Sequence, residues 1–233
     1  MTARTHRRPA LRAHAAPGAQ DQTRHFYDRI SRAYDVIADS SEDAVRRLGI
    51  QALDVQPGER VLEIGSGTGH GLVALADAAG RSGYVCGIDN SSGMLSVAHR
   101  RIESSGGHRV RLAACDARDL CFQSGLFDAV FMSFTLEIFG EEIPRVLAEA
   151  VRVLRSEGRI GVVAMASTDE PSALGRAYRW FHRRWPQVID CEPIDLVARL
   201  RSSGFQIAFT HVTSIWTLPV MAAVGVKVPQ RAG

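Results

Sequence analysis

Val61-Leu62-Glu63-Ile64-Gly65-Ser66-Gly67-Thr68-Gly69 is the stretch on which the fold of this 233-residue chain turns. Its first half, within Arg60–Ile64, is short, apolar and partly β-branched, which predicts a strand. It runs directly into closely spaced glycines. A helix is predicted just beyond, over Leu72–Ala79, and Gly80 and Gly83 end it. Glycines at the mouth of a strand let the backbone approach a ligand where a side chain would block it. The helix that follows points its free N–H groups at the same place.

The spacing of the glycines narrows the ligand. The dinucleotide fingerprint GxGxxG requires a third glycine, which would fall at His70 or at Leu72, so the pattern does not fit. What stands here is GxGxG with an acid, Glu63, two positions before Gly65. A second predicted strand, Tyr84–Ile88, leads into Asp89-Asn90, with Asp89 20 residues after Gly69. A carboxylate at that point can accept both hydroxyls of a ribose. A lone acid there also serves to cap a helix starting at Ser91-Ser92; the glycines upstream favour the ribose role. Met94, on the first turn of that helix, suits either an adenine contact or the core.

Working outward, strands and helices alternate. Helices are expected over Met94–Ile102, Ile143–Leu154 and Leu196–Leu200, and strands over Arg109–Ala114, Phe127–Phe134 and Arg159–Ala166. Two closing strands follow at Phe205–Val212 and Val220–Val228. Near-continuous apolar strands between helices predict a parallel sheet covered on both faces. The expected fold is α/β and Rossmann-like: a seven-stranded, mostly parallel sheet ending in an antiparallel hairpin. Three parts are expected: a disordered basic tail over 1–20, a helical cap over 21–57 and the main domain over 58–233. In the cap, Phe26, Tyr27, Ile30, Tyr34 and Ile37 recur at helical spacing, and Val45, Leu48 and Leu53 mark a second helix before Pro57-Gly58.

Composition limits the alternatives. With 45% apolar and 23% charged residues, collagen, coiled coil and wholesale disorder are excluded. No run of 18 apolar residues exists to cross a membrane. The net charge of +3 is uneven, because Arg4, Arg7, Arg8 and Arg12 lie in an acid-free tail. The rest is close to neutral, without the clustered cations of a nucleic-acid footprint. Cys86, Cys115, Cys121 and Cys191 show no CxxC pairing, so no metal site is expected and a reducing cytosol is the default.

The string Val61–Gly69, with Asp89 behind it, resembles motif I of the class I S-adenosylmethionine-dependent methyltransferases. Phe26-Tyr27-Asp28, Ala33-Tyr34-Asp35, Asp89-x-Ser91-x-x-Met94-Leu95 and Leu147-x-Glu149-x-x-Arg152-Val153-Leu154 are similar to the ubiquinone and menaquinone biosynthesis C-methyltransferases and their small-molecule relatives. The resemblance spans roughly residues 24–165. It implies S-adenosylmethionine as methyl donor. Glu63, Gly65, Ser66, Gly67 and Gly69 would hold its methionine moiety. Asp89 and Asn90 would take the ribose, and Met94, Asp116 and Ala117 the adenine. Ser133 would border the donor, and Tyr34 would reach its methionine end. The chain departs from the quinone enzymes at Val36-Ile37-Ala38-Asp39 and at Phe134–Phe139, segments that shape the acceptor pocket.

The Asn/Asp-Pro-Pro-aromatic string of base amino-methylating enzymes is absent after Met132, which leaves carbon, oxygen or sulfur acceptors. The expected reaction is methyl transfer to a small hydrophobic acceptor. The rivals are a nicotinamide oxidoreductase and a non-catalytic donor-binding module. His25, Tyr27 and His182 are weak candidates for a general base. Residues 172–185 (SALGRAYRWFHRRW) pattern as a basic, aromatic amphipathic helix, suited to a lid or to peripheral membrane contact.

Overall fold

A computed structural model describes residues 39–106, 109–167, 193–215 and 218–229. Helix α1 (Asp39–Leu53) precedes an alternation of β1 (Arg60–Ile64), α2 (His70–Ala79), β2 (Tyr84–Asp89), α3 (Ser92–Ser104) and β3 (Val110–Ala114). Strand β4 (Phe127–Ser133) leads through a 3-10 segment, Leu136–Glu142, to α4 (Ile143–Val153) and β5 (Leu154–Met165). The described chain closes with α5 (Leu196–Ser202), β6 (Phe205–Ile215) and β7 (Leu218–Lys227).

The sheet has seven strands in the order β3-β2-β1-β4-β5-β7-β6. All neighbours pair in parallel except β7, which runs antiparallel to both β5 and β6. The expected architecture, with its terminal hairpin, is the one observed. Two apolar clusters form, led by Leu62, Ile64, Phe127 and Leu147 in one, and by Val61, Leu75, Phe131 and Leu53 in the other. Successive β1 side chains, Val61 and Leu62, fall into different clusters, because neighbours on a strand face opposite sides of the sheet.

Helix α1 is part of the second cluster. Leu53 is fully buried there with Ile50 and Val45, and burying a leucine stabilises by about 2 kcal/mol. Gly49 permits the approach, since a Cβ there would lie 2.6 Å from Val163. Arg159 fastens the end of the helix: its guanidinium donates to the carbonyls of Leu53 and Asp54 (both 2.5 Å) and pairs with Glu59 at 2.6 Å.

Boundaries differ where tertiary pairing outruns local pattern. Strand β6 continues past Val212 to Ile215, and β7 starts at Leu218, because Thr213–Ile215 pair with Leu218–Val220. Strand β5 begins at Leu154 rather than Arg159, because Leu154 pairs with Phe127 across a register shift. Helix α2 starts at His70, two residues early, because Gly69 with φ 87° already opens it. The 3-10 segment had no counterpart in the periodicity. Residues 1–38, including the expected tail and first cap helix, and the basic segment 172–185 lie outside the described residues.

Candidate active site

The strand order reverses between β1 and β4, and in open α/β sheets ligands bind in the crevice beyond the strand ends at such a point. A cleft of about 470 Å³ lies there, a size suited to a small molecule. Of the sequence-chosen residues in the described part, Glu63, Gly65, Ser66, Gly67, Asp89, Asn90, Met94, Asp116, Ala117 and Ser133 all line it. Gly69 lies just behind, as the residue that opens α2. Tyr34, His25, Tyr27 and His182 lie outside the described residues.

The glycine loop is pinned from beneath. The N–H groups of Gly65 and Ser66 both donate to Ile88 O at 2.9 Å. Gly65 has φ 71°, and a Cβ there would overlap the Thr135 side chain. The position therefore tolerates only glycine, for conformation and for space. Thr135 Oγ1 in turn donates to Ser133 O at 2.9 Å and to Gly65 O at 3.4 Å, the second contact joining the end of β4 to the loop after β1.

Asp89 links the loop to the second strand. Its Oδ2 accepts from Gly67 N at 2.9 Å, and its Oδ1 accepts from Ser91 N at 2.8 Å. Ser91, not Asp89, caps α3: its Oγ accepts from Met94 N at 3.1 Å. Asp89 thus orders both walls of the cleft with one carboxylate. Met94 is 3% exposed, packed yet still on the cleft surface.

Asp116 is paired with its neighbour. The Arg118 guanidinium donates at 2.9 Å to Oδ1 and 2.5 Å to Oδ2, which holds the carboxyl below the usual carboxylate range. This loop is set by α4. Glu149 Oε2 accepts from Leu120 N at 2.7 Å, while Arg152 donates to Phe122 O, Leu120 O and Glu149. The Glu149-x-x-Arg152 spacing therefore has a mechanical role. One helical turn presents a fork that ties down the loop carrying Asp116 and Ala117.

Two acids are conspicuous by burial. Glu63 is 3% exposed, its Oε2 has no hydrogen-bond partner, and burial pushes it up to about 8. Glu137, in the 3-10 segment, is 2% exposed. It accepts from Met165 N at 3.1 Å through Oε1, and burial pushes it up to about 7. Sequence reasoning missed Glu137, Thr135, Glu42 and Arg46. Glu42 and Arg46 come from α1, pair at 3.3 Å and line the cleft. Their i,i+4 spacing was visible, but nothing local aimed it at a distant loop. Phe134, Ile138 and Phe139 add an apolar wall, and Phe134 is held at φ 50°, an uncommon conformation for a bulky residue.

The Cys86, Cys115 and Cys121 thiols are free, and Cys115 Sγ accepts from Cys121 N at 3.1 Å. Among the described residues no group of three or more His, Cys, Asp or Glu is arranged to hold a metal. No described helix is long and apolar enough to cross a membrane.

Known proteins resemble this chain. Residues 61–158 match a family described as a methyltransferase domain. Over 160 residues, 67% of this chain, the sequence is 32% identical to a demethylmenaquinone methyltransferase of Bacillus cereus. Residues 61–158 are a methyltransferase domain, and the chain is similar to S-adenosylmethionine-dependent enzymes of that kind. The aligned stretch covers 66% of that relative, just under two thirds of its length. Solved structures share the fold at lower identity. One is a 1,6-didemethyltoxoflavin-N1-methyltransferase of Burkholderia thailandensis, solved with its acceptor and S-adenosylhomocysteine. It matches with a TM-score of 0.68 at 18% identity, over 95% of this chain and 94% of that one. The [4+2]-cyclase SpnF matches at 0.72 and 19% identity, over 89% and 96%. The family's donor, S-adenosylmethionine, suits the cleft's polar lining: Glu63 Oε2, Ser66 Oγ and Ser133 Oγ are buried there without protein partners.

Proposed function

We propose that this protein transfers the methyl group of S-adenosylmethionine to a carbon or oxygen atom of a small hydrophobic acceptor. The observation that carries the reading is one cleft lined by the glycine loop, Asp89 and Asp116 on one side and by Phe134, Ile138 and Phe139 on the other. The fold alone would not suffice, since one fold hosts many reactions.

Gly65, Ser66 and Gly67, with Glu63 beneath, receive the methionine moiety. Asp89 receives the ribose; Gly67 and Ser91 hold its carboxylate in place beforehand. Met94 and Ala117 flank the adenine. Asp116 reaches the adenine amino group only by sharing its carboxylate with Arg118 or by releasing it. Ser133 borders the reacting end.

The donor supplies a methyl group already activated on a sulfonium. The chain's task is to align acceptor and donor and to keep water out, which accounts for much of the rate in such a transfer. The apolar wall serves a lipophilic, quinone- or polyketide-like acceptor, in line with the name of the Bacillus relative. The basic, aromatic pattern of residues 172–185 supports, from the sequence alone, collection of such an acceptor at a membrane surface.

The test incubates the protein with methyl-labelled donor and with separated lipid and aqueous extracts of the source cell. Label transferred into the lipid fraction is expected. Label confined to the aqueous fraction would exclude a lipophilic acceptor. Calorimetry showing tight NAD binding and none of S-adenosylmethionine would overturn the donor as well.

A further inference from the structure

Two thiols close the ends of the loop that follows β3. Cys115 comes directly after the strand and lines the cleft; Cys121 is exposed at the far end of the loop. Between them lie Asp116, Ala117 and Arg118, which all line the cleft. The N–H of Cys121 donates to Cys115 Sγ at 3.1 Å. Adding the N–Cα bond puts the Cys121 Cα within about 4.6 Å of that sulfur, inside the reach of a disulfide. Helix α4 holds this arrangement in place. Arg152 donates to Leu120 O and Phe122 O, the carbonyls on either side of Cys121, and Glu149 accepts from Leu120 N. The pair is six residues apart, so no CxxC spacing announces it.

The thiols differ in access, which orders the chemistry. Cys86, on β2, is buried and stays inert. Cys115 is half-buried, and Cys121 stands open to solvent. We propose that Cys115 and Cys121 form a redox pair, which a peroxide converts to a disulfide that closes the loop around Asp116 and weakens donor binding. The Cys121 thiolate attacks the peroxide: an S–O bond forms, the O–O bond breaks, and the departing hydroxide takes up the thiol's proton as water. Cys115 then attacks the sulfenic sulfur: the S–S bond forms, the S–O bond breaks, and a second water leaves with the Cys115 proton. Two thiols lose two electrons and the peroxide gains them. The charge of Cys121 opposes ionisation of Cys115, and oxidation of Cys121 removes it.

The link to function rests on the donor reading above. Asp116 is held by Arg118 and must share or release it to meet the adenine. A closed ring from Cys115 to Cys121 restricts that turn, and it draws the Cys115 sulfur toward Cys121 and away from the cleft wall.

The test treats the reduced full chain with stoichiometric hydrogen peroxide, alkylates the remaining thiols and maps the peptides by mass. A Cys115–Cys121 bridge is expected, absent in Cys121→Ser. A bridge to Cys191, a bridge between two copies, or oxidation that stops on Cys121 without a bridge would overturn the pairing. Calorimetry with S-adenosylmethionine reads the consequence. Oxidation should lower affinity by about fivefold or more, dithiothreitol should restore it, and Cys121→Ser should bind as the reduced native protein does and ignore peroxide. A mapped bridge with unchanged affinity would overturn the coupling to the donor. Failure of the reduced native protein to bind S-adenosylmethionine would instead remove the donor reading, and peptide mapping would still decide the bridge. Should Cys121→Ser fail to fold, mapping and reversal by dithiothreitol on the native chain decide both.

Discussion

Gly67 and Asp89 are joined by a 2.9 Å hydrogen bond from the loop N–H to Oδ2, across 22 residues of chain. The same carboxylate accepts from Ser91 N, so one side chain sets the spacing between the glycine loop and the second strand. Asp89→Ala leaves two N–H groups without this acceptor, and hydrogen bonds to a charged group contribute about 1.5–3 kcal/mol each. The expected outcome is a fall of at least about tenfold in S-adenosylmethionine affinity by calorimetry, with a lower unfolding midpoint. Unchanged affinity would show that Asp89 does not serve the donor.

Gly65→Ala should be more damaging than its size suggests. The new Cβ meets Thr135 and the residue must hold φ 71°, so both space and conformation oppose it. Thr135→Gly in the same chain removes the overlap, together with the hydroxyl's hydrogen bond to Ser133 O, and leaves the positive φ in place. The double variant should therefore regain part of the lost stability in urea titrations, and not all of it. Full recovery would mean the backbone conformation carries no strain.

Arg152 ties the loop after β3 through Phe122 O, Leu120 O and Glu149. Arg152→Ala leaves Glu149 without its ion pair and frees that loop. Hydrogen exchange at residues 116–122 should accelerate while exchange in β1 stays slow. Adenosine affinity should weaken severalfold. An unaltered exchange pattern would reduce the Glu149-x-x-Arg152 fork to ornament.

Glu137 gives a pH prediction with a definite sign. Its folded-state value, about 7, lies above the usual 4.5, so the folded state binds the extra proton between those limits. Stability is therefore greatest below about 4.5 as far as this group is concerned, and falls as pH rises toward 7, by on the order of 3 kcal/mol. Glu137→Gln should flatten the slope of unfolding free energy against pH in that window. The slope is the readout, since the amide also changes the absolute stability. An unchanged slope would assign the effect elsewhere.

Arg159→Met should loosen α1. It removes the donors to Leu53 O and Asp54 O and strands Glu59, half of a largely buried ion pair. A loss of about 2–4 kcal/mol is expected by denaturant titration, together with weaker donor binding, because α1 carries Glu42 and Arg46 into the cleft.

The parts of the site that were legible in the chain are those whose signal is local. A strand that ends in GxGxG and an acid at the end of the next strand are read from short windows. The topology of parallel sheets then brings Val61–Gly69, Asp89 and Asp116 to the same strand ends. Arg46 shows the opposite case. Its helix could be anticipated from Val45, Leu48 and Leu53, but its place in the cleft follows from how α1 seats on Phe131 and Val163. Glu137 was invisible for a related reason: the 3-10 segment has neither a helical nor a strand period to mark it.

By itself the sequence determined the α/β class, the order of the elements and the place of the glycine loop, because each depends on residue type and spacing over a few positions. Only the tertiary structure decided that Glu63 is a buried acid whose pKa burial raises, that Asp116 is held by Arg118, and that α1 supplies Glu42 and Arg46 to the site. Acidity and pairing depend on how much water and which charges surround a group. Those surroundings are assembled from α1, α2, β1, β2 and β4 together, and no single stretch of the chain contains them.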